Sequence, residues 1–188
     1  SVSAFLLNRS SDLSLGEKDM KDVKNTNNMR VGFNEVIVGT VNFGSKVVVS
    51  DPMYELGTWC AGILDVVPGS YICKAIIDTG DDIGSTVDEI EIRHSKYGKG
   101  VEAEEEVNFT VGVDSAHCGI FNYELFREKD GYEGGKEKEW FNDMWDVDMV
   151  DIYKGVAFVC TSGYGDGVYE CLVGRDAAGD IVVVRVLF

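Results

Sequence analysis

Apolar and polar residues alternate along most of the chain beyond residue 31, with frequent Val, Ile and aromatic side chains. A period of two is typical of a strand that buries one face in a sheet. Nine such stretches predict a mainly β (α+β) fold, either an antiparallel sandwich or a partly closed barrel. The predicted strands are NEVIVGTVNF (34–43), SKVVVSD (45–51), SYICKAIID (70–78), VDEIEIRHS (87–95), EVNFTVGVDS (106–115), CGIFNY (118–123), GVAFVCTSG (155–163), GVYECLVGRD (167–176) and DIVVVRVLF (180–188).

One segment, residues 137–151, follows a helical period instead. Its apolar side chains recur at spacings of three and four, so we expect an amphipathic helix that lies across the sheet. The preceding residues 127–139 are charged and glycine-rich, which predicts a mobile loop. The apolar stripe, interpreted as the face that packs on the core, consists of Trp140, Phe141, Met144, Trp145 and Met149.

The chain divides into a polar N-terminal part and one domain. Residues 1–30 are polar, and Ser14 and Glu17 have the spacing of a helix capping box, which predicts a weakly anchored arm. Residues 31–188 contain no long linker, so we expect a single β-rich domain. A chain of 188 residues can bury a core without help from disulfides or a structural metal.

Net charge restricts the classes of partner. The sequence has 17 basic and 33 acidic residues, and its formal charge is -16. Such a field repels nucleic-acid backbones and anionic membranes, so direct binding to nucleic acid is disfavoured. Solubility, attraction of a basic protein partner and imitation of a nucleic acid all agree with the charge.

The cysteines and apolar runs bear on cellular location. Five cysteines lie mostly inside strand-like runs without a CxxC pair, which indicates reduced, buried thiols rather than zinc ligands. No apolar run approaches the length that spans a bilayer, and the first residues lack a basic leader. We therefore expect a cytoplasmic protein with no signal peptide and no membrane contact.

The usual signatures of phosphate and metal chemistry are missing from the sequence, which has no Walker-type loop, HExxH or GxSxG. DTGDDIGSTVDE has the acids of a calcium loop, but Ile83 stands where an EF-hand needs glycine. An acidic β-turn is the better interpretation. No cofactor is predicted, and a divalent cation held by Asp51, Asp114 and Asp166 is left open.

VGVDSAHCGIF (111–121) places Asp114, Ser115, His117 and Cys118 at a strand end. His117 and Cys118 are adjacent on an extended chain, so their side chains point to opposite faces and do not form a nucleophile with its base. A turn could bring Asp114 to His117, which would then be an oriented base or a metal ligand. A purely structural histidine is the alternative.

TSGYGDGVYE (161–170) alternates glycines with Tyr164, Asp166 and Val168. The glycines give the backbone conformations closed to other residues, with Asp166 at the tip of a turn. The carboxylate then either faces a ligand or bonds its own backbone.

Five motifs together resemble a widespread family of unknown function found in bacteria and their phages. They are VSDPMY (49–54), GTWCAGIL (57–64), PGSY (68–71), VGVDSAHCGIF and SGYGDGVYE, and the resemblance covers about residues 47–188. The family pattern has VDSGQAGIF where this chain has Ala116, His117 and Cys118. That difference weakens a histidine–cysteine mechanism and leaves Asp51, Asp114 and Asp166 as shared acids. The resemblance implies a small intracellular accessory protein, often encoded by a phage.

These observations favour a non-enzymatic accessory binding protein that engages a host protein or sequesters a small ligand through an acidic site. One alternative is a metal-dependent hydrolase that uses the three shared aspartates, and another is a nucleic-acid mimic. Oligomeric state is left open. The predicted binding residues are Asp51, Tyr54, Trp59, Asp114, Ser115, His117, Tyr164, Asp166 and Tyr169.

Overall fold

Antiparallel strands account for most of the fold in the computed structural model, which describes residues 32–80, 84–130 and 136–188, without the side chains of residues 128–138. The described residues form twelve strands and two helices. The elements are β1 (Phe33–Phe43), β2 (Lys46–Ser50), β3 (Gly62–Asp65), β4 (Gly69–Asp78), β5 (Thr86–His94), β6 (Glu105–Glu106), β7 (Val111–Val113), β8 (His117–Asn122), α1 (Tyr123–Asp130), α2 (Lys136–Trp145), β9 (Val150–Tyr153), β10 (Ala157–Thr161), β11 (Gly167–Arg175) and β12 (Ile181–Leu187).

The strands form two antiparallel sheets that face each other. The larger sheet has the order β1-β4-β5-β12-β11-β6, with β7 also paired to β11, and the smaller has the order β3-β2-β8-β10-β9. The predicted fold class, a mainly β sandwich, is confirmed. Twelve strands replace the predicted nine because 106–115 divides into β6 and β7, while β3 and β9 are additional short strands.

The main core lies between the sheets and follows from the alternation in the sequence. Val47 and Val49 of β2 are fully buried against the larger sheet, whereas Val48 belongs to a second apolar cluster on the opposite face. A sheet residue and its neighbour point to opposite faces, so one strand of three valines serves both layers. The smaller sheet is therefore packed against apolar side chains on both of its faces.

The two helices cover the outer face of the smaller sheet. Phe121 of β8 packs against Phe126 of α1 and Trp140 of α2, and the Trp140 indole donates to the carbonyl of Pro52 at 2.8 Å. The predicted position of an amphipathic helix across the sheet is thus confirmed, as is the core role of Trp140 and Met144. The predicted core role of Trp145 is wrong, because Trp145 is exposed and packs on the His117 ring rather than within the apolar cluster under the helices.

The predicted boundaries of the helical region are partly wrong. Helix α2 ends at Trp145 rather than at residue 151, because residues 150–153 pair with β10 and Met149 and Val150 pack on the inter-sheet core. Part of the predicted loop is helix α1, whose start is capped by Asn122, since its Oδ1 accepts the amide of Glu124 at 3.3 Å.

All five cysteines are free and buried, so the predicted state of the thiols is confirmed. Burial raises the pKa of the Cys73 and Cys171 thiols to about 12. The polar arm, residues 1–30, and Asp81, Asp82 and Ile83 of the acidic turn lie outside the described residues. In front of that gap Asp78 Oδ1 accepts the amide of Gly80 at 2.9 Å, a local bond typical of a turn.

Candidate functional site

Asp51 holds the turn between β7 and β8 in place. It follows β2, its side chain is 0% exposed, and its carboxylate accepts four hydrogen bonds. Oδ1 accepts from the Met53 amide and the Ser115 hydroxyl, both at 2.8 Å. Oδ2 accepts from the amides of Asp114 at 2.9 Å and Ser115 at 2.8 Å. A buried carboxylate with all these donors is fully satisfied, so Asp51 positions the turn.

Asp114 is exposed and is bonded by the loop that follows β2. Tyr54 donates its hydroxyl to Asp114 Oδ2 at 2.5 Å, and this hydrogen bond raises the pKa of Tyr54 to about 12. The Tyr54 ring meets the Trp59 ring edge to face, with centroids 6.2 Å apart. The loop from residue 51 to residue 61 therefore places an aromatic pair beside the carboxylate.

Asp166 bonds the same turn from the other side. Its Oδ1 accepts the amide of Ala116 at 3.1 Å, and Ala116 has a left-handed backbone with φ 57°. The Ser162 amide donates to the Ala116 carbonyl at 2.9 Å. The Ser162 hydroxyl donates to the Gly165 carbonyl at 2.7 Å and closes the turn from residue 162 to residue 165. Gly165 has φ 92°, a conformation that favours glycine. Two loops are thus joined around one turn.

The outward face of the β7–β11 pair combines exposed apolar and acidic side chains. Val168 lies opposite Gly112, and Val111 beside Gly112 points into the inter-sheet core, so Gly112 and Val168 face outward. The Trp59 ring lies directly over Gly112, where a Cβ would stand 2.0 Å from the ring. Antiparallel partners have side chains about 5 Å apart, so Trp59 is next to Val168.

These two apolar side chains are largely in solvent, since Trp59 is 59% exposed and Val168 63% exposed. Glu170 lies on the same face of β11 as Val168, and Asp166, which immediately precedes the strand, is exposed two residues before Val168. Asp114 follows Val113 and Asp166 precedes Gly167, the last pair of β7 and β11, so both acids lie at the same end of the strand pair. We call this surface the acidic strip, which consists of Trp59, Asp114, Asp166, Val168 and Glu170.

Ser115 and His117 are not arranged as a nucleophile with its base. The Ser115 hydroxyl donates to Asp51, and the His117 Nδ1 lies 2.8 Å from the Ser115 carbonyl oxygen, which makes Nδ1 the protonated nitrogen. The His117 Nε2 is buried, and no described residue gives it a hydrogen bond. Its ring packs edge to face on Trp145, with centroids 5.2 Å apart.

Cys118 lies in the inter-sheet core, on the opposite face of β8 from His117. Burial holds the pKa of its thiol well above the usual value, so the thiolate that nucleophilic chemistry requires is disfavoured. His117 and Cys118 thus point to opposite faces of β8 and cannot act together, as the alternation in the sequence predicts.

The structure brings most of the predicted site residues to one turn. Asp114 and Ser115 belong to it, Asp51 and Asp166 accept hydrogen bonds from its amides, Tyr54 donates to Asp114, and Trp59 packs on the Tyr54 ring. Tyr169 supports the loop from behind, because its hydroxyl donates to the Gly165 carbonyl at 2.6 Å. Tyr164 is 70% exposed at the tip of the loop. His117 also contacts the turn, because its Nδ1 donates to the Ser115 carbonyl oxygen at 2.8 Å, and its ring lies against Trp145.

Two members of the acidic strip, Val168 and Glu170, were missed by sequence reasoning. The signal was available in GVYECLVGRD, where a period of two places Val168 and Glu170 on one face of the strand. Among the residues that the structure describes, no group of three or more His, Cys, Asp or Glu side chains is arranged to hold a metal ion.

No described helix has the length and apolar character needed to cross a membrane. Comparison of the chain with protein-family models, with curated proteins and with solved structures gives no match.

Proposed function

We propose that this protein is a non-enzymatic binding protein whose acidic strip engages a basic surface of a partner protein. The observation that carries the proposal is the exposure of Trp59 and Val168 side by side on a strand pair. Adjacent exposed apolar side chains within a polar rim are characteristic of protein interaction sites. Tryptophan is also among the residues that dominate binding energy at such sites.

The support structure beneath the strip fits binding better than catalysis. The Asp51 carboxylate accepts hydrogen bonds from the turn, and the Ser115 hydroxyl donates to Asp51 rather than to a base. The turn is thereby held rigid, which lowers the entropy that binding costs. The strip is an open face rather than a cavity, so a protein partner suits it better than a small ligand.

Charge makes the proposal specific to basic partners. The net charge of -16 and the exposed acids of the strip attract a positive surface at long range. Long-range attraction raises the association rate and is screened by salt. We propose a host protein as the partner, in keeping with the small, often phage-encoded accessory protein that the family resemblance implies.

Removing the apolar centre of the strip is expected to weaken binding to the partner. We expect the double variant W59A/V168S to lose at least about tenfold in affinity for its partner, because a buried tryptophan anchor contributes on the order of 2 kcal/mol. Partners are first captured from a bacterial lysate, and then affinity is measured with the purified partner. Raising salt from about 50 to 300 mM should slow association of the wild type about tenfold.

The matched control is W145A, because Trp145 has the same exposure, 58%, but lies outside the strip. It should bind as the wild type does. Equal loss in W145A, or association that ignores salt, would contradict the proposed site.

A metal-dependent hydrolase with Asp51, Asp114 and Asp166 stays the alternative function. The three acids do contact one turn, although Asp51 already accepts four hydrogen bonds. Nucleic-acid mimicry, the further alternative, needs rows of acids at phosphate-like spacing, whereas the acids on the outward face of β11 are interrupted by Val168.

Thermal unfolding with divalent cations distinguishes the hydrolase from the binding protein. We expect Mg²⁺, Ca²⁺ or Mn²⁺ to shift the Tm of the wild type and of D114N/D166N equally, because screening of the net charge acts on both. A wild-type shift larger by about 5 °C would favour the hydrolase, since a saturating ligand at about 100 Kd stabilises by about 2.7 kcal/mol.

A further inference from the structure

The acidic strip has a repeating pattern along β11. Asp166, which immediately precedes β11, and Val168 and Glu170 of β11 stand at alternate positions, and all three are exposed. Alternate residues of a strand are about 7 Å apart, so the strip presents an acid, an apolar group and an acid at about 7 Å steps. The pattern is regular enough to specify the register of a partner.

Each position of the pattern is reinforced from a neighbouring element. Trp59 lies next to Val168 and widens the apolar centre. Asp114 and Asp166 adjoin the last paired residues of β7 and β11, so one end carries two exposed carboxylates, each of which accepts a hydrogen bond, from the Tyr54 hydroxyl and the Ala116 amide respectively. Neighbouring carboxylates repel each other, and a cation placed between them would relieve the repulsion.

We propose that the acidic strip binds an extended segment of a partner protein in which basic, apolar and basic side chains occupy alternate positions. This inference rests on the proposed function and specifies the partner's chemistry. One basic side chain pairs with Asp114 and Asp166, the apolar side chain packs on Val168 and Trp59, and the second basic side chain pairs with Glu170.

Arginine suits the doubly acidic end better than lysine. Its planar guanidinium presents several donors at once to two carboxylates, and its face stacks on aromatic rings such as Trp59. The side chains on one face of an extended segment are also about 7 Å apart, the spacing of the strip. A segment in that conformation therefore meets all three positions without bending.

Two short peptides of identical composition test the pattern separately from the charge. The first has the order arginine, serine, leucine, serine, arginine, and the second has the order arginine, arginine, leucine, serine, serine. Binding to ¹⁵N-labelled protein is followed by NMR, which detects the weak affinity expected of short peptides. We expect the first peptide to bind at least about fivefold more tightly and to shift the amides of Val168 and Glu170 and the Trp59 indole.

A charge exchange provides the second arm, using a residue on the protein surface. Glu170→Lys should weaken binding of the first, alternating peptide. A version of this peptide whose second arginine is replaced by glutamate should bind the variant better than it binds the wild type. Equal affinity of the two orders, no binding of either, or shifts away from the strip would overturn the inference. The proposed function is judged independently, by whether the captured protein partner depends on Trp59 and Val168.

Discussion

Replacement of Asp51 by asparagine is expected to destabilise the protein by about 4 kcal/mol, because hydrogen bonds to a buried charged group contribute about 1.5–3 kcal/mol each and unpaired donors cost more. Asparagine has one carbonyl oxygen, whereas Asp51 uses two oxygens, each accepting two hydrogen bonds. The side-chain NH2 group of the asparagine would therefore face two of the four donors, which would lose their acceptor. For a chain of this size the Tm should fall by about 10 °C.

The measurement is urea unfolding followed by tryptophan fluorescence, with amide hydrogen exchange as the local readout. Hydrogen exchange at the amides of Asp114 and Ser115 should accelerate more than exchange in β4 or β5, because these two amides lose their acceptor, the Asp51 carboxylate. The matched controls are Asp148→Asn and Asp166→Asn, since both acids are exposed and Asp166 accepts a single backbone bond. A loss in Asp51→Asn no larger than in these controls would contradict the role assigned to Asp51.

Loss of the turn should also remove binding, although Asp51 is buried and cannot contact a partner. Asp51 fixes the backbone of Asp114, and Asp114 is one of the two acids at the end of the strip. The experiment therefore separates positioning from contact. Asp51→Asn should reduce affinity and stability together, whereas Glu170→Lys should reduce affinity alone.

The strands were predictable from sequence because each alternation is local. Val47, Val48 and Val49 show the limit, since a run of three valines predicts a strand buried on both faces but not what covers each face. The end of α2 was not predictable, because Met149 and Val150 fit the helical period and only the pairing of β9 with β10 removes them from the helix.

The site was predictable in its residues and not in its arrangement. Asp51 and Asp114 are 63 positions apart in sequence, and their contact depends on which strands of the two sheets become neighbours. The same holds for Trp59, whose place beside Val168 requires Gly112 beneath its ring. The sequence pattern identifies candidate site residues. Which strands become neighbours then decides whether a carboxylate is buried and positions the backbone, as Asp51 does, or is exposed, as Asp114 is.

Glu91 illustrates the same limit away from the site. In VDEIEIRHS it occupies a polar position of an alternating strand, which predicts a solvent-facing side chain. The structure leaves it 1% exposed, because register places Lys74 of β4 and Arg185 of β12 on either side of it. Arg93 of the same strand also bonds it, with Nε donating to Oε1 at 2.9 Å.

Glu91 is expected to stabilise the fold strongly through these cations. Arg185 donates from Nη2 to Oε2 at 2.8 Å, and Lys74 Nζ lies 3.6 Å from Oε1. Burial opposes the charged form of Glu91, but the hydrogen bonds and charges of its three partners outweigh it and lower the pKa of the carboxyl. Removing one partner from a buried ion pair costs about 3–5 kcal/mol, since the remaining charges stay buried.

Glu91→Gln should therefore destabilise the protein by about 3 kcal/mol at pH 7, and this difference from the wild type should shrink in acid. The lowered pKa means that the stabilisation is complete above the unfolded value of about 4.3 and is lost as pH falls through the folded value. The difference in free energy of unfolding between wild type and variant, measured with urea, should thus narrow from pH 7 to pH 3. The matched control is Glu105→Gln, whose carboxylate pairs with Arg175 on the surface and should change stability little. A difference between wild type and Glu91→Gln that stays constant with pH would show that shape, rather than charge, accounts for the loss.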